Sequence, residues 1–547
     1  MRLRGREDPG DVPHLEAVSS PGSRDRAYTE QSDDFGGARD RRYSSPPAPA
    51  AWTATGVPTP LKGRPAVVSD APVPAPSSPT PLVSSQRPSQ QRMHTPDDRL
   101  VHLVLDYVSE RLSIPETPLD HPGQKAEVDA ILEGLVTREG IDAEKVLEIY
   151  ADHLSKTVLS ADSPRYWAFI PSPPTRPCRT AETPWSAASL QGISWLEAAG
   201  AVAAENQALR WIADAAGMPA SAGGTFVSGG SAGNLSALVV ARDTARRRLV
   251  ERDGEQARHR RLRIAVSDQA HSSVKNTMSI IDVDPLVVRT ADHRFTGEAL
   301  RAALEADGDP DSVIAVVATS GTTNAGIVDD LRGVGTVSRE RGMWFHVDGA
   351  YGGAGLFAPS VRELYDGIEL VDSFVVDPHK WLFAPYDCAA LLYREPRLAK
   401  AVHTQDASYL DAIHHDDGSY EWNPTDYAYH LTRRARGLPL WFSLVVNGTD
   451  AYTEAIEHSI TLARDVAREI DAAEHLELVR EPTLGMVLFR RVGWTAADYD
   501  AWAARLLAEQ VAFITSTSWE GETVGRFSFI HPATTVEMLR EVLATTA

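Results

Sequence analysis

Apolar and polar positions along the chain switch between two periods, and each switch marks an element. From Asp97 the helical period appears: Leu100, Leu103, Val104, Tyr107, Val108 and Leu112 fall on one face at 3.6-residue spacing. A second helix is expected over residues 126–138 and another over 199–216. Between about residues 200 and 395, short β-branched apolar runs take turns with helical stretches. The runs span residues 224–227, 263–266, 286–289, 313–319, 344–347, 372–376 and 389–393. This alternation predicts an α/β fold with a mostly parallel sheet covered on both faces. It also sends the strand-end loops to one edge, where open α/β sheets bind ligands. Beyond about residue 440 the pattern predicts a long helix over 440–470, strands at 476–479, 485–490, 512–516 and 527–530, and helices at 496–510 and 535–545. That second group reads as a smaller α+β domain. The chain has no internal repeat.

Composition changes this picture mainly at the N-terminus. Residues 1–92 hold 15 of the 36 prolines and no apolar periodicity, as in Ala71-Pro72-Val73-Pro74-Ala75-Pro76. Such a segment cannot bury enough surface to offset its ordering entropy and is expected to be a disordered extension. Met93 stands where the ordered pattern begins and is a candidate start of translation; an intact mass from the native source that retains residues 2–92 would exclude it. The first 92 residues carry 12 Lys+Arg against 10 Asp+Glu, leaving 42 against 65 for the rest of a chain whose net charge is −21. Nucleic acid and anionic membrane are therefore not expected partners. Two cysteines, Cys178 and Cys388, make neither a disulfide framework nor a metal cluster, and they fit a reducing cytoplasm. No apolar run reaches the ~18 residues of a membrane span, and no hydrophobic segment follows the basic first residues.

The candidate chemistry gathers around Lys380. In Ser373-Phe374-Val375-Val376-Asp377-Pro378-His379-Lys380-Trp381 a buried strand is stopped by proline, and the following turn presents the lysine at the strand's carboxyl end. A lysine there can form a Schiff base with an aldehyde if its amine is free. Four more loops follow predicted strands. Ser228-Gly229-Gly230-Ser231-Ala232-Gly233-Asn234 lets backbone approach an anion at a helix start, without the lysine of a nucleotide loop. Ser267-Asp268-Gln269-Ala270-His271-Ser272-Ser273 offers an imidazole that can stack on a flat ring and exchange a proton. Ala318-Thr319-Ser320-Gly321-Thr322-Thr323 offers hydroxyls. Trp344-Phe345-His346-Val347-Asp348-Gly349-Ala350-Tyr351 ends an apolar strand on a carboxylate that needs a partner, for which a protonated pyridine nitrogen would serve. Each loop alone is a weak signal; their common placement at strand exits is the argument.

Asp377-Pro378-His379-Lys380-Trp381, His346-Val347-Asp348-Gly349-Ala350-Tyr351 and the His271 motif resemble those of the group II pyridoxal-phosphate-dependent decarboxylases, over roughly residues 98–547. The resemblance implies the fold-type I, aspartate-aminotransferase-like fold and a homodimer with active sites at the subunit interface. It implies pyridoxal 5′-phosphate as cofactor, no metal, and a small-molecule amino-acid substrate. By position, Lys380 would be the Schiff-base lysine, Asp348 would pair with the pyridine nitrogen, and His271 would stack on the ring. Gly230 and Ser231 would hold the phosphate, Ala350 would pack on the other ring face, and Thr322 and His379 would contact the cofactor. Tyr409, in Ala407-Ser408-Tyr409-Leu410, matches the family's mobile-loop proton donor. Pro171 and Ser172 would contribute to the substrate pocket from the loop at 169–174. The implied layout is an extension at 1–92, a helical segment with the substrate loop at 93–185, a large cofactor-binding domain at 186–435 and a small domain at 436–547.

Departures from the family pattern bear on substrate. Asp377 stands where many members have asparagine, and beside a phosphate it would repel, so it is not counted as a ligand. Val202-Ala203-Ala204-Glu205 keeps only the last acid of the family's Thr-Glu-Leu-Glu, and Ile193-Ser194-Trp195 lacks an aromatic at its first position. Both stretches are expected near the substrate pocket. The expected reaction is decarboxylation of an L-amino acid to its amine. Oxidative decarboxylation–deamination to an aldehyde and transamination are the alternatives on this scaffold, and a cofactor-binding protein without turnover is a third reading. The tyrosine at 409 favours simple decarboxylation, because phenylalanine there is associated with aldehyde formation.

Overall fold

The computed structural model describes residues 98–405, 407–413 and 422–547, without the side chains of Tyr409, Asp411 and Ala412. The expectations for residues 1–92 and Met93 lie outside the described residues. β1 (Gly223–Val227), β2 (Arg263–Ser267), β3 (Asp284–Val288), β4 (Val313–Thr319), β5 (Trp344–Asp348), β6 (Ser373–Val376) and β7 (Ala389–Tyr393) form one sheet in the order β1-β7-β6-β5-β4-β2-β3. All seven expected strands are present, with ends shifted by two residues or fewer. Strands β3, β2, β4, β5 and β6 run parallel, whereas β7 is antiparallel to both β6 and β1. Two reversals leave β1 pointing the same way as the parallel set, so the loops after β1, β2, β4, β5 and β6 share one edge.

Burial explains why the central strands read as unbroken apolar runs. Every residue of β4 is buried, with Val316 and Ala318 in one apolar cluster and Ala315 and Val317 in another. The two clusters lie on opposite faces of the sheet, as its period of two requires. Helices cover both faces, among them Trp195–Ala215, Gly230–Asp253 and Leu331–Arg341.

A second sheet is built from β8 (Leu476–Leu478), β9 (Met486–Arg491), β10 (Thr517–Trp519) and β11 (Glu522–Ser528), all antiparallel in the order β10-β11-β9-β8. Residues 512–516, expected as a strand, form only an isolated bridge between Phe513 and Tyr166. The aromatic, proline-rich segment near residue 167 packs here: Trp167 is fully buried, edge-on to Phe527 and Phe529. The long helix expected over 440–470 is two helices, Leu438–Asn447 and Thr449–Asp471. Gly448 between them has φ +75°, which L side chains disfavour, and it ends the first helix by donating to the Leu444 carbonyl. The expected helix over 126–138 is shorter, Lys125–Leu132, and Gly134 follows it with φ +71°.

Glu205 is a structural acid, which corrects its expected place near the substrate pocket. It is 2% exposed and takes two bonds from Arg433, Nη1 to Oε2 at 2.8 Å and Nη2 to Oε1 at 2.7 Å. The Gly437 amide also donates to Oε1 at 2.7 Å, and Arg433 Nη1 reaches the Gly192 carbonyl. The pair thus ties the helix Trp195–Ala215 to the segment before Leu438. Glu205→Ala would leave a buried guanidinium without its carboxylate and is expected to lower unfolding free energy by about 3–5 kcal/mol. Urea unfolding checks this; a loss under about 1 kcal/mol, the worth of an exposed pair, would contradict it.

Candidate active site

Five strand-end loops enclose a cavity of about 190 Å³ lined by Gly230, Ser231, His271, Thr322, Asp348, Ala350, His379 and Lys380, among others. Eight of the eleven residues expected at the site therefore meet in one place. Lys380 sits on the short helix Pro378–Trp381 directly after β6. Its neighbour Trp381 is fully buried and stacks on Tyr351 at 5.2 Å, which anchors the turn that carries the lysine. His379 Nδ1 accepts from the Cys388 amide at 2.9 Å, so its Nε2 proton points to Asp377 Oδ2, 3.4 Å away.

The cup after β1 forms the start of the helix Gly230–Asp253, whose N-cap, Gly229, offers no side chain to cap it. The helix dipole and amides at that end are left to the cavity. A Cβ on Gly230 would lie 2.9 Å from the Ala350 Cβ, so only glycine lets these two loops approach. Thr322 is held in its own turn: its amide donates to the Ile327 carbonyl, and its Oγ1 accepts from the Ile327 amide at 3.1 Å. The hydroxyl proton remains available for the cavity.

Asp348 ends β5, 5% exposed, and its carboxylate is fixed from behind by a directional chain of hydrogen bonds. Trp344 Nε1 donates to Ser373 Oγ at 2.8 Å, and Ser373 Oγ pairs with His346 Nδ1 at 2.8 Å. His346 Nε2 meets Asn234 Oδ1 at 2.9 Å. That oxygen only accepts, so His346 carries its proton on Nε2 and accepts from Ser373 through Nδ1. Complete burial pushes the His346 pKa down to about 4, which agrees with a neutral ring. Asn234 Nδ2 then donates to Asp348 Oδ2 at 2.8 Å and to Ser273 Oγ at 3.1 Å. Ser273 Oγ in turn donates to His271 Nδ1 at 2.9 Å, and the Ala350 amide donates to Asp348 Oδ1 at 3.1 Å. One network therefore aims both Asp348 and His271.

His271 is also the N-cap of the helix Ser272–Ile280, its Nδ1 accepting from the Ser273 amide at 3.2 Å. A neutral imidazole so held presents its Nε2 proton. The ring is exposed at the cavity's mouth, open to a partner stacked on it.

Two expected residues, Pro171 and Ser172, do not line the cavity, and a third is not placed. Tyr409 lies in the 3-10 helix Ser408–Ile413, and its side chain is outside the described residues. Pro171 and Ser172 are buried and do not line the cavity; Ser172 approaches it only through its amide, which donates to the Tyr386 hydroxyl at 3.3 Å. Tyr386 in turn sits 5.0 Å from the His379 ring. Ile193 and Glu205 are also absent from the lining. Asp377, excluded as a ligand from the sequence, does line the cavity, 1% exposed. Sequence reasoning missed Asn234, Ser273, His346 and Ser373, although the signal was present. His346 and Asp348 are two apart and share a strand face, and Ser373 is the register partner of His346.

Comparison with known proteins adds the following. A family model described as the pyridoxal-dependent decarboxylase conserved domain matches residues 128–492. An aromatic-L-amino-acid decarboxylase of Bacillus atrophaeus is 30% identical over 421 residues, covering 75% of this chain and 85% of that protein. An L-2,4-diaminobutyrate decarboxylase of Acinetobacter baumannii is 29% identical over 432 residues, covering 75% and 84%. Among solved structures, the Oryza sativa TDC with PLP and tryptamine superposes with a TM-score of 0.75 at 23% identity, covering 84% of this chain and 98% of that one. The Rhodiola rosea 4-hydroxyphenylacetaldehyde synthase superposes with a TM-score of 0.72 at 22% identity, covering 82% and 97%. At such identities the superpositions show the shared fold-type I architecture.

Proposed function

The chain belongs to the pyridoxal-dependent decarboxylase family, as a carboxy-lyase that removes carbon dioxide from an amino acid with pyridoxal phosphate, and on that premise we propose how its residues divide the work. The cavity fits the cofactor by the chemistry of its donors. Its lining includes an amine, a buried carboxylate on Asp348, and a glycine cup at a helix start that can take an anion. Lys380 would be the Schiff-base lysine, and Asp348 would hold a proton at the pyridine nitrogen. His271 would stack on one ring face and Ala350 would pack against the other. Gly230 and Ser231 would take the phosphate, with Thr322 and His379 as further contacts. When bound, the cofactor supplies the electron sink for the breaking Cα–carboxylate bond.

The chain's own groups supply orientation and charge. Asp348, fixed by Asn234 and the Ala350 amide, is aimed before substrate arrives, so no reorganisation is needed as charge develops. The buried walls exclude water, which favours a carboxylate leaving as neutral carbon dioxide. Tyr409 is the proposed donor of the proton that replaces the carboxylate, giving an amine product. The single observation that carries this reading is the convergence of Lys380, Asp348, His271 and the glycine cup on one cavity. Screening the twenty L-amino acids for carbon dioxide release, with the product identified, tests it. One substrate should give stoichiometric amine, whereas an aldehyde with ammonia and peroxide would overturn the choice of reaction.

The proposed assembly is a homodimer with active sites at its interface. The helix Asp98–Ser113 buries none of its residues and leaves Val101 and Leu105 exposed, and Phe169 and Leu196 are 58% and 63% exposed. An unburied amphipathic helix with exposed apolar residues supports an interaction surface there. Sedimentation should give twice the chain mass; a fully active monomer would contradict it. A cytoplasmic location is proposed from two free, buried cysteines, and among the described residues no helix is long and apolar enough to cross a membrane. Fractionation of the native cells that finds the protein in another compartment would refute this. The domain limits of the sequence reading, 93–185, 186–435 and 436–547, are kept as part of the proposal. Limited proteolysis that cuts first inside the large domain would argue against them.

A further inference from the structure

Asp377 is the one group in the cavity at odds with an anion cup. Its carboxylate is 1% exposed, and Oδ2 accepts from the Gly230 amide at 3.1 Å. The same oxygen lies 2.9 Å from Lys380 Nζ and 3.4 Å from His379 Nε2, whereas Oδ1 is buried with no hydrogen-bond partner. A buried carboxylate oxygen left unpaired is costly. It is tolerated here because the other oxygen gathers an amide, an ammonium and an imidazole N–H. Those are the kinds of donor a bound phosphate would use.

The groups facing Asp377 can be named element by element. Lys380 and His379 lie on the helix it precedes, and Tyr386 and Cys388 follow on the same segment. Asp348 and His271 line the cavity from the loops after β5 and β2. Burial alone would raise the Asp377 pKa, but the Lys380 charge and the His379 hydrogen bond outweigh it and bring it to about 2. Burial would likewise lower the Lys380 pKa, yet the Asp377 charge and hydrogen bond reverse the sign and raise it. Asp377 and Lys380 therefore close the cup as an ion pair, and Lys380 is held as an ammonium.

We propose that Asp377 is an internal competitor for the cofactor's phosphate: its carboxylate occupies the cup until an incoming anion takes the Gly230 amide and frees Lys380. This rests on reading Gly230 and Ser231 as the phosphate cup. One consequence follows from the charges. A phosphate dianion set beside a carboxylate is repelled by it, so removing the carboxylate's charge tightens anion binding.

The test uses the full-length protein freed of cofactor and titrated calorimetrically with inorganic phosphate, then with pyridoxal phosphate. All titrations are run at one pH near neutrality, so that phosphate's own protonation is the same for every variant. D377N is expected to bind phosphate at least about tenfold more tightly than wild type, since like-charge juxtaposition is removed. D377S should behave the same way, which separates charge from shape. Unchanged or weaker phosphate binding in both variants would overturn the proposal and make Asp377 a positioning group for Lys380. If S231A leaves phosphate binding unchanged in both the wild-type and D377N backgrounds, the cup assignment itself fails, and the proposal with it. A loss of binding in S231A with tightening in D377N supports both.

Discussion

Lys380→Ala is expected to abolish carbon dioxide release, with kcat falling by on the order of 10⁴-fold or more, as when a covalent nucleophile is removed. The size of the effect follows from the site's composition. Among the described residues Lys380 is the one lysine lining the cavity, and the groups around it are arranged for an amine at that position. Asp377 pairs with it at 2.9 Å, and the stacked Trp381 and Tyr351 hold its turn. No neighbouring lysine on that helix can take its place, since Pro378, His379 and Trp381 complete it. The fold should survive, because the side chain is a quarter exposed and the buried Asp377 keeps the Gly230 amide and the His379 imidazole as partners. Steady-state carbon dioxide assays on a variant with a wild-type melting curve check this. Activity within tenfold of wild type would remove Lys380 from the chemistry.

Asp348→Asn is expected to lower kcat by about 10²–10³-fold, the range found for removing one preorganised electrostatic partner. Its carboxylate is the proposed partner of the ring nitrogen, and it is 5% exposed, so water cannot replace it. The substitution also mismatches the network behind it. Asn234 Nδ2 and the Ala350 amide both donate to the carboxylate, and an amide side chain can present only one acceptor oxygen to two donors. Asn234 cannot flip to compensate, because His346 Nε2 already donates to its oxygen. The measurement is kcat together with the absorbance of bound cofactor. A variant with near wild-type kcat would mean that the ring needs no charge partner here.

The fold was legible in the sequence where a single physical signal dominated. Strands β1, β2 and β4 to β7 are fully buried or nearly so, and their β-branched runs could be read from the chain without ambiguity. The small domain was harder. Gly448 was a lone glycine in a helical pattern, and nothing in spacing alone says that it takes φ +75° and breaks the run. Residues 512–516 are apolar enough for a strand, yet Phe513 pairs only with Tyr166, a partner some 350 positions away that periodicity cannot foresee.

The candidate site followed the same rule. Lys380, Asp348, His271 and the glycine cup were legible because the chemistry of each follows from its residue type and its strand-end position. The supporting chain through Ser373, His346, Asn234 and Ser273 crosses four elements, and its hydrogen bonds exist only once β5 and β6 are in register. Glu205 misled for a related reason. An acid in a helix near an expected pocket looks functional until its buried partner, Arg433, is seen more than two hundred residues away. Asp377 was set aside as a phosphate ligand on charge alone, and the geometry gives it a different part: it stands where the phosphate is expected.

The central claim is that a Schiff base forms on Lys380. Borohydride reduction of the holoenzyme followed by peptide mapping tests it most directly. The account predicts that the reduced cofactor's mass is found on the peptide containing Lys380 and on no other. A label on another lysine, or none on a fully active enzyme, would contradict it.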